Sequence, residues 1–135
     1  VFGEDERIAQ WVQKRLPDFL GWNGAYRAVG YELRGQLKGG VVYSQYTGPN
    51  IMVATVLEAP LTRRFLRSIF FYPFCQLKCQ RMTALIDQTN ARSQRLVRHL
   101  GFKFEGAMRE ATPHGDMLIF GLLKRECRFL PVNHE

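Results

Sequence analysis

The chain has 135 residues, 46% of them hydrophobic and 13% aromatic. That is enough to bury a sizeable core without disulfides or a metal and too few for two ordinary domains, so residues 1–135 are expected to form a single domain. No apolar run approaches the roughly 20 residues that cross a bilayer, and the N-terminus shows no basic, apolar, cleavable signal, which points to a cytoplasmic protein without a membrane partner; a formal charge of +7 at pH 7 favours anionic partners, whether a phosphorylated small molecule, an RNA or an acidic protein.

Residues 4–16 predict an amphipathic helix: Glu4, Asp5 and Glu6 suit the positive end of its dipole, Ile8, Val12 and Leu16 line one face, and Pro17 stops it. Residues 25–34 and 36–46 alternate as two strands of a hairpin around an Arg34-Gly35 turn, and Gly39 with Gly40 marks a bulge or a close approach of another backbone. Residues 47–50, TGPN, read as a turn, and 51–57, IMVATVL, as a strand apolar enough to be central in a sheet. Residues 61–77 have a helical pattern, with Phe65, Leu66, Ile69 and Phe70 apolar and Arg63, Arg64 and Arg67 polar. Pro73 inside that run predicts a kink near 70–74, because proline removes a donor and crowds the preceding turn. A fourth strand follows at 81–86, then a short helix, then strands at 102–111 and 116–127 around Pro113-His114-Gly115. This order gives an α/β domain, a mixed sheet with helices on both faces.

The short helix carries the most information. In residues 90–106, NARSQRLVRHLGFKFEG, Thr89 or Asn90 can cap the start, Leu96, Val97 and Leu100 share a face, and Gly101 stands where a left-handed C-terminal cap is wanted. Together with Arg109 these residues spell N-x-x-S-x-x-L-x-x-x-L-G-F-x-x-E-G-x-x-R. That pattern resembles the back half of the GNAT acyl-CoA N-acyltransferases, most closely the branch that acetylates ribosomal-protein N-termini. Residues 116–126, DMLIFGLLKRE, are similar to that branch's closing strand, and the resemblance extends over residues 26–127. It implies a mixed, mostly antiparallel sheet of about six or seven strands, splayed between strands 51–57 and 81–86. It also implies an enzyme that moves an acetyl group from acetyl-CoA to a primary amine by direct attack in a ternary complex. The acceptor would be a protein N-terminus, a lysine, a small amine or the amino group of an aminoacyl-tRNA.

Such a reaction needs the donor held, the carbonyl polarised, the amine deprotonated and the thiolate stabilised. By resemblance, the pantetheine arm lies between the splayed strands and the pyrophosphate sits on the next helix N-terminus, which attracts anions. The implied cofactor-binding residues are Leu57, Thr62, Arg63, Arg64, Phe65, Asn90 and Ser93. The family's glycine-rich phosphate loop is replaced here by Ala59-Pro60-Leu61-Thr62-Arg63-Arg64, so arginine contacts would substitute for backbone ones. Ser93, one turn after Asn90 on the same face, is the candidate to assist the leaving thiolate, since Val97 stands where many of these enzymes carry a tyrosine acid. Glu58 is the candidate base, and Tyr43, Tyr46 and Glu105 are candidates for the acceptor pocket.

A different reading is a non-catalytic protein on the same fold that recognises RNA or a protein through its basic helices. Cys75, Cys79 and Cys127 are an odd number without a CxxC spacing, and no histidine completes a metal set, so buried free thiols and no metal are expected. The apolar final strand, with Ile119, Phe120 and Leu122, either pairs across a homodimer or covers the core.

Overall fold

The computed structural model describes residues 1–16, 24–60 and 62–130. Leu61, expected to open a helix, and Pro17, expected to stop one, lie outside them. Helix α1 (Asp5–Arg15) carries Asp5 and Glu6 in its first turn and buries Ile8, Ala9 and Val12. Strands β1 (Tyr26–Leu33) and β2 (Gln36–Ser44) form the hairpin. Arg34 at φ 53 and Gly35 at φ 81 supply the doubly left-handed two-residue turn that matches strand twist. The second strand stops at Ser44 instead of 46, because Gln45 turns left-handed at φ 54.

Both readings of Gly39-Gly40 hold. The register slips between Tyr31 and Glu32, leaving Lys38 as the extra residue beside Gly39. A Cβ on Gly40 would sit 2.6 Å from Val12 Cγ2, so the missing side chain lets α1 press onto the strand.

Strand β3 (Asn50–Leu57) leads to α2 (Arg63–Phe71), which Thr62 caps by accepting from Phe65 N–H at 3.1 Å. The expected kink takes the form of a π turn over Tyr72–Gln76, in which Leu77 N–H reaches Tyr72 C=O at 3.0 Å. Then come β4 (Arg81–Asp87), α3 (Ala91–His99), β5 (Lys103–Thr112) and β6 (Gly115–Leu123). The last strand ends at Leu123, not 127, because Glu126 Oε1 takes its N–H at 3.2 Å in a closing turn of 3₁₀ helix over Lys124–Glu126.

The six strands lie in the order β1-β2-β3-β4-β6-β5. Helix α1 packs on one face against Ala28, Leu37, Val42 and Val56. On the other face α2, the π turn and α3 cover the larger core of Tyr43, Ile51, Val53, Met82, Ile86, Phe120 and Leu122. Strand β6 is paired on both sides, by β4 and β5, so its edge is not open to a second copy, and Phe120 and Leu122 are fully buried.

One junction breaks the pattern. β3 and β4 run parallel, and they pair only at Asn50↔Arg81, Ile51↔Met82 and Met52↔Thr83. Beyond that β3 continues to Leu57 and β4 to Asp87 without partners for each other. The expected splay of 51–57 from 81–86 is therefore present in the sheet.

Candidate active site

The splay leaves backbone groups facing a gap. Glu58 N–H donates to Lys38 C=O at 2.7 Å on the β2 side. Alternation along the strand therefore turns the amides of Val53, Thr55 and Leu57 the other way, toward β4. These are the groups an extended ligand can pair with.

Around the gap is a cavity of about 390 Å³, walled by Val53–Thr55 of β3, Ala84–Asp87 of β4, Asn90, Ser93 and Val97 of α3, and Leu16, Thr112, Pro113 and Met117. A second hollow of about 400 Å³ shares Leu16, Thr55, Asn90 and Ser93 with it and runs on past Leu57 to Arg15, Glu58, Arg92, Arg95 and His99. The two make one groove, apolar at the Met117 end and basic at the Leu57 end.

Asn90 and Ser93 stand where the two halves meet. Asn90 Oδ1 accepts from Ser93 N–H at 3.1 Å, which caps α3. The cap orients the amide and leaves its Nδ2 donor, like the Ser93 hydroxyl, without a partner among the described residues. At the basic end Arg92 donates to Leu57 C=O at 2.7 Å, and Glu58 is paired with Arg15 at 2.9 Å. Leu57, Glu58, Asn90 and Ser93 are thus brought to one groove.

The other sequence candidates lie elsewhere. Thr62 and Arg64 border a hollow beside Val1, Phe2 and Ser68, and the Phe65 ring is buried against Tyr31 at 5.3 Å between centroids. The N–H groups of Arg63 and Arg64, in the first turn of α2, have no backbone partner among the described residues. Tyr43 is 1% exposed, its hydroxyl donating to Ile69 C=O at 2.6 Å. Tyr46 is exposed and shares a separate hollow with Tyr43, Tyr72 and Ile51. Glu105 accepts from both Arg81 terminal nitrogens, at 2.8 and 3.3 Å, outside the groove.

Sequence reasoning overlooked Asp87, which ends β4 inside the groove wall. Its Oδ1 accepts from the N–H and the hydroxyl of Thr89 at 2.8 and 2.7 Å. The Thr89 backbone donor above all holds the carboxyl below the usual carboxylate range. The available signal was the spacing Asp-x-Thr directly after an apolar strand, which predicts this side-chain turn. Arg15 was missed because it belongs to another helix. Cys75 and Cys79 are buried, and no group of three or more His, Cys, Asp or Glu suited to a metal occurs among the described residues.

No protein-family profile and no curated protein matches this chain. The fold does match solved structures. An acetyltransferase of the GNAT family from Bacillus anthracis superposes with a TM-score of 0.58 at 22% identity, over 68% of this chain and 61% of that one. The spermidine N-acetyltransferase of Vibrio cholerae, solved with CoA and spermine, superposes with a TM-score of 0.63 at 18% identity, over 76% of this chain and 68% of that one. At such identities what is shared is the fold. This chain spans 61–63% of the length of three such acetyltransferase chains.

Proposed function

We propose that the protein is an acetyl-CoA-dependent N-acetyltransferase that modifies a primary amine by direct attack within a ternary complex. The observation that carries this reading is the interruption between β3 and β4, three paired positions followed by a groove into which strand amides, Asn90 and Ser93 all face. An extended amide-bearing arm fits that gap as a surrogate strand, hydrogen bonding to Val53 and Thr55 and to the Asn90 amide. The basic end, with Arg15, Arg92 and Arg95, suits the phosphates, and the open N–H groups of Arg63 and Arg64 at the start of α2 are a second anchor for them. Ser93 Oγ is the hydroxyl available to the departing thiolate, and buried Val97 beside it donates nothing.

The amine enters from the apolar end. Its class rests on analogy: the GNAT branch resembled by the Asn90 block acetylates protein N-termini, and the Vibrio cholerae structure was solved with spermine. Calorimetric titration with acetyl-CoA, desulfo-CoA and a nucleotide diphosphate tests the reading. Micromolar binding that requires the pantetheine arm is expected, with Asn90→Ala weakening it about tenfold, the worth of one or two hydrogen bonds. Absence of binding at millimolar acetyl-CoA would sink the enzyme reading. A non-catalytic polyanion binder is the second reading, supported by Arg64 and Arg67 bordering a hollow away from the groove. It predicts salt-dependent RNA binding without acetyl-CoA affinity.

A further inference from the structure

At the basic end of the groove Glu58 is tied to Arg15, and His99 lies there among Arg92 and Arg95. The opposite end holds an acid and an imidazole together. Asp87 is only 9% exposed, and its Oδ2 lies 3.6 Å from His114 Nδ1. Because Oδ1 is occupied by the two Thr89 donors, the carboxylate is fixed with Oδ2 toward the ring.

His114 is held in place by a latch. Its hairpin is tied to the turn between β4 and α3: Gln88 N–H donates to Asp116 C=O at 3.0 Å, and Gln88 Oε1 accepts from Asp116 N–H at 2.7 Å. Gln94 Nε2 in turn donates to Gln88 C=O at 2.9 Å. Gly115 is required there, since a Cβ would lie 2.7 Å from the Gln88 amide and its φ is +139. The hairpin therefore sets a half-exposed imidazole next to Thr112 and Pro113, which line the groove mouth. Asp87 faces it from β4, while Asp116 Oδ1, on the hairpin itself, accepts from Glu110 N–H at 2.9 Å.

We infer that His114 and Asp87 form the proton-accepting pair for the acetyl transfer proposed above, the reading on which this inference rests. The imidazole takes a proton from the incoming ammonium group. Asp87, through Nδ1, orients the ring and stabilises the imidazolium. The freed amine nitrogen bonds to the acetyl carbonyl carbon as the carbon–sulfur bond breaks and its electron pair leaves on sulfur. The second proton lost by that nitrogen goes to the thiolate. The balance is one amide, one thiol and one proton, which His114 returns to solvent.

The test follows thiol release from acetyl-CoA between about pH 6 and 9, with spermidine and, separately, with water as nucleophile, alongside calorimetric binding of acetyl-CoA. For His114→Gln we expect acetyl-CoA affinity within about twofold of the wild type, a rate about a hundredfold lower near neutral pH, and loss of the wild-type pH dependence. Asp87→Asn should lose about tenfold, and added imidazole should restore part of the rate of His114→Ala, which a merely structural role would not allow. A His114→Gln rate and pH profile like the wild type's, with either nucleophile, overturns the pair. So does tight acetyl-CoA binding without thiol release to either nucleophile, since a poised base activates water too. Failure of the wild type to bind acetyl-CoA would instead overturn the underlying function.

Discussion

Tyr43 shows how one residue repairs a defect that another creates. In an ordinary helix the Ile69 carbonyl would accept from the N–H four residues on, but that residue is Pro73, which has none. The Tyr43 hydroxyl crosses from the sheet to take its place at 2.6 Å, and burial pushes the phenol well above its usual range. Tyr43→Phe should cost about 1–3 kcal/mol in urea unfolding, the penalty of a buried acceptor left without its partner. Thr62→Ala, which removes the α2 cap, should cost about 1 kcal/mol by the same measurement. Asp87 has a pH signature. Its carboxyl titrates lower in the folded chain, so its contribution is complete above the unfolded value of about 3.9 and disappears as pH falls through the depressed folded value. The stability difference between wild type and Asp87→Asn should therefore shrink on acidification through that window. The Asn90 cap and its one-turn spacing to Ser93 were legible in the sequence because cap, turn and spacing are local chemistry. The meeting of Asp87 with His114, or of Tyr43 with Ile69, depends on the tertiary fold, and no local pattern records it.

At the level of elements, periodicity carried the order and type of helices and strands, and the differences arose at their ends. Gln45 and Glu126 shortened two strands through one left-handed residue and one side-chain hydrogen bond, neither visible as a change of hydrophobic pattern. The Pro73 break was visible, though its π form over Tyr72–Gln76 was not, because the loss of a donor at proline marks where a helix is disturbed and not which wider turn replaces it. The contact of α1 with β2 offers a sharper test. Val12 is β-branched and fully buried, so it cannot swing away from a Cβ on Gly40. Gly40→Ala should destabilise by about 1–3 kcal/mol, read as a lower urea midpoint, from overpacking between helix and sheet.

For the molecule as a whole, charge and sheet topology act together. The excess of +7 is distributed, but Arg15, Arg92 and Arg95 converge from two helices on one end of the groove, a meeting that their positions in the linear sequence do not show. Binding of a polyphosphate there should weaken several-fold when ionic strength rises from about 50 to 500 mM, measurable in the acetyl-CoA titration. The three-pair seam between β3 and β4 has a mechanical consequence as well. It divides the sheet into two halves, β1-β2-β3 and β4-β6-β5, each internally well laddered. The two halves meet at Ile51 and Met82 as pages meet at a spine. A ligand lying in the fold would act as a clasp, slowing hydrogen exchange at the Val53 and Thr55 amides while leaving the outer ladders as they were.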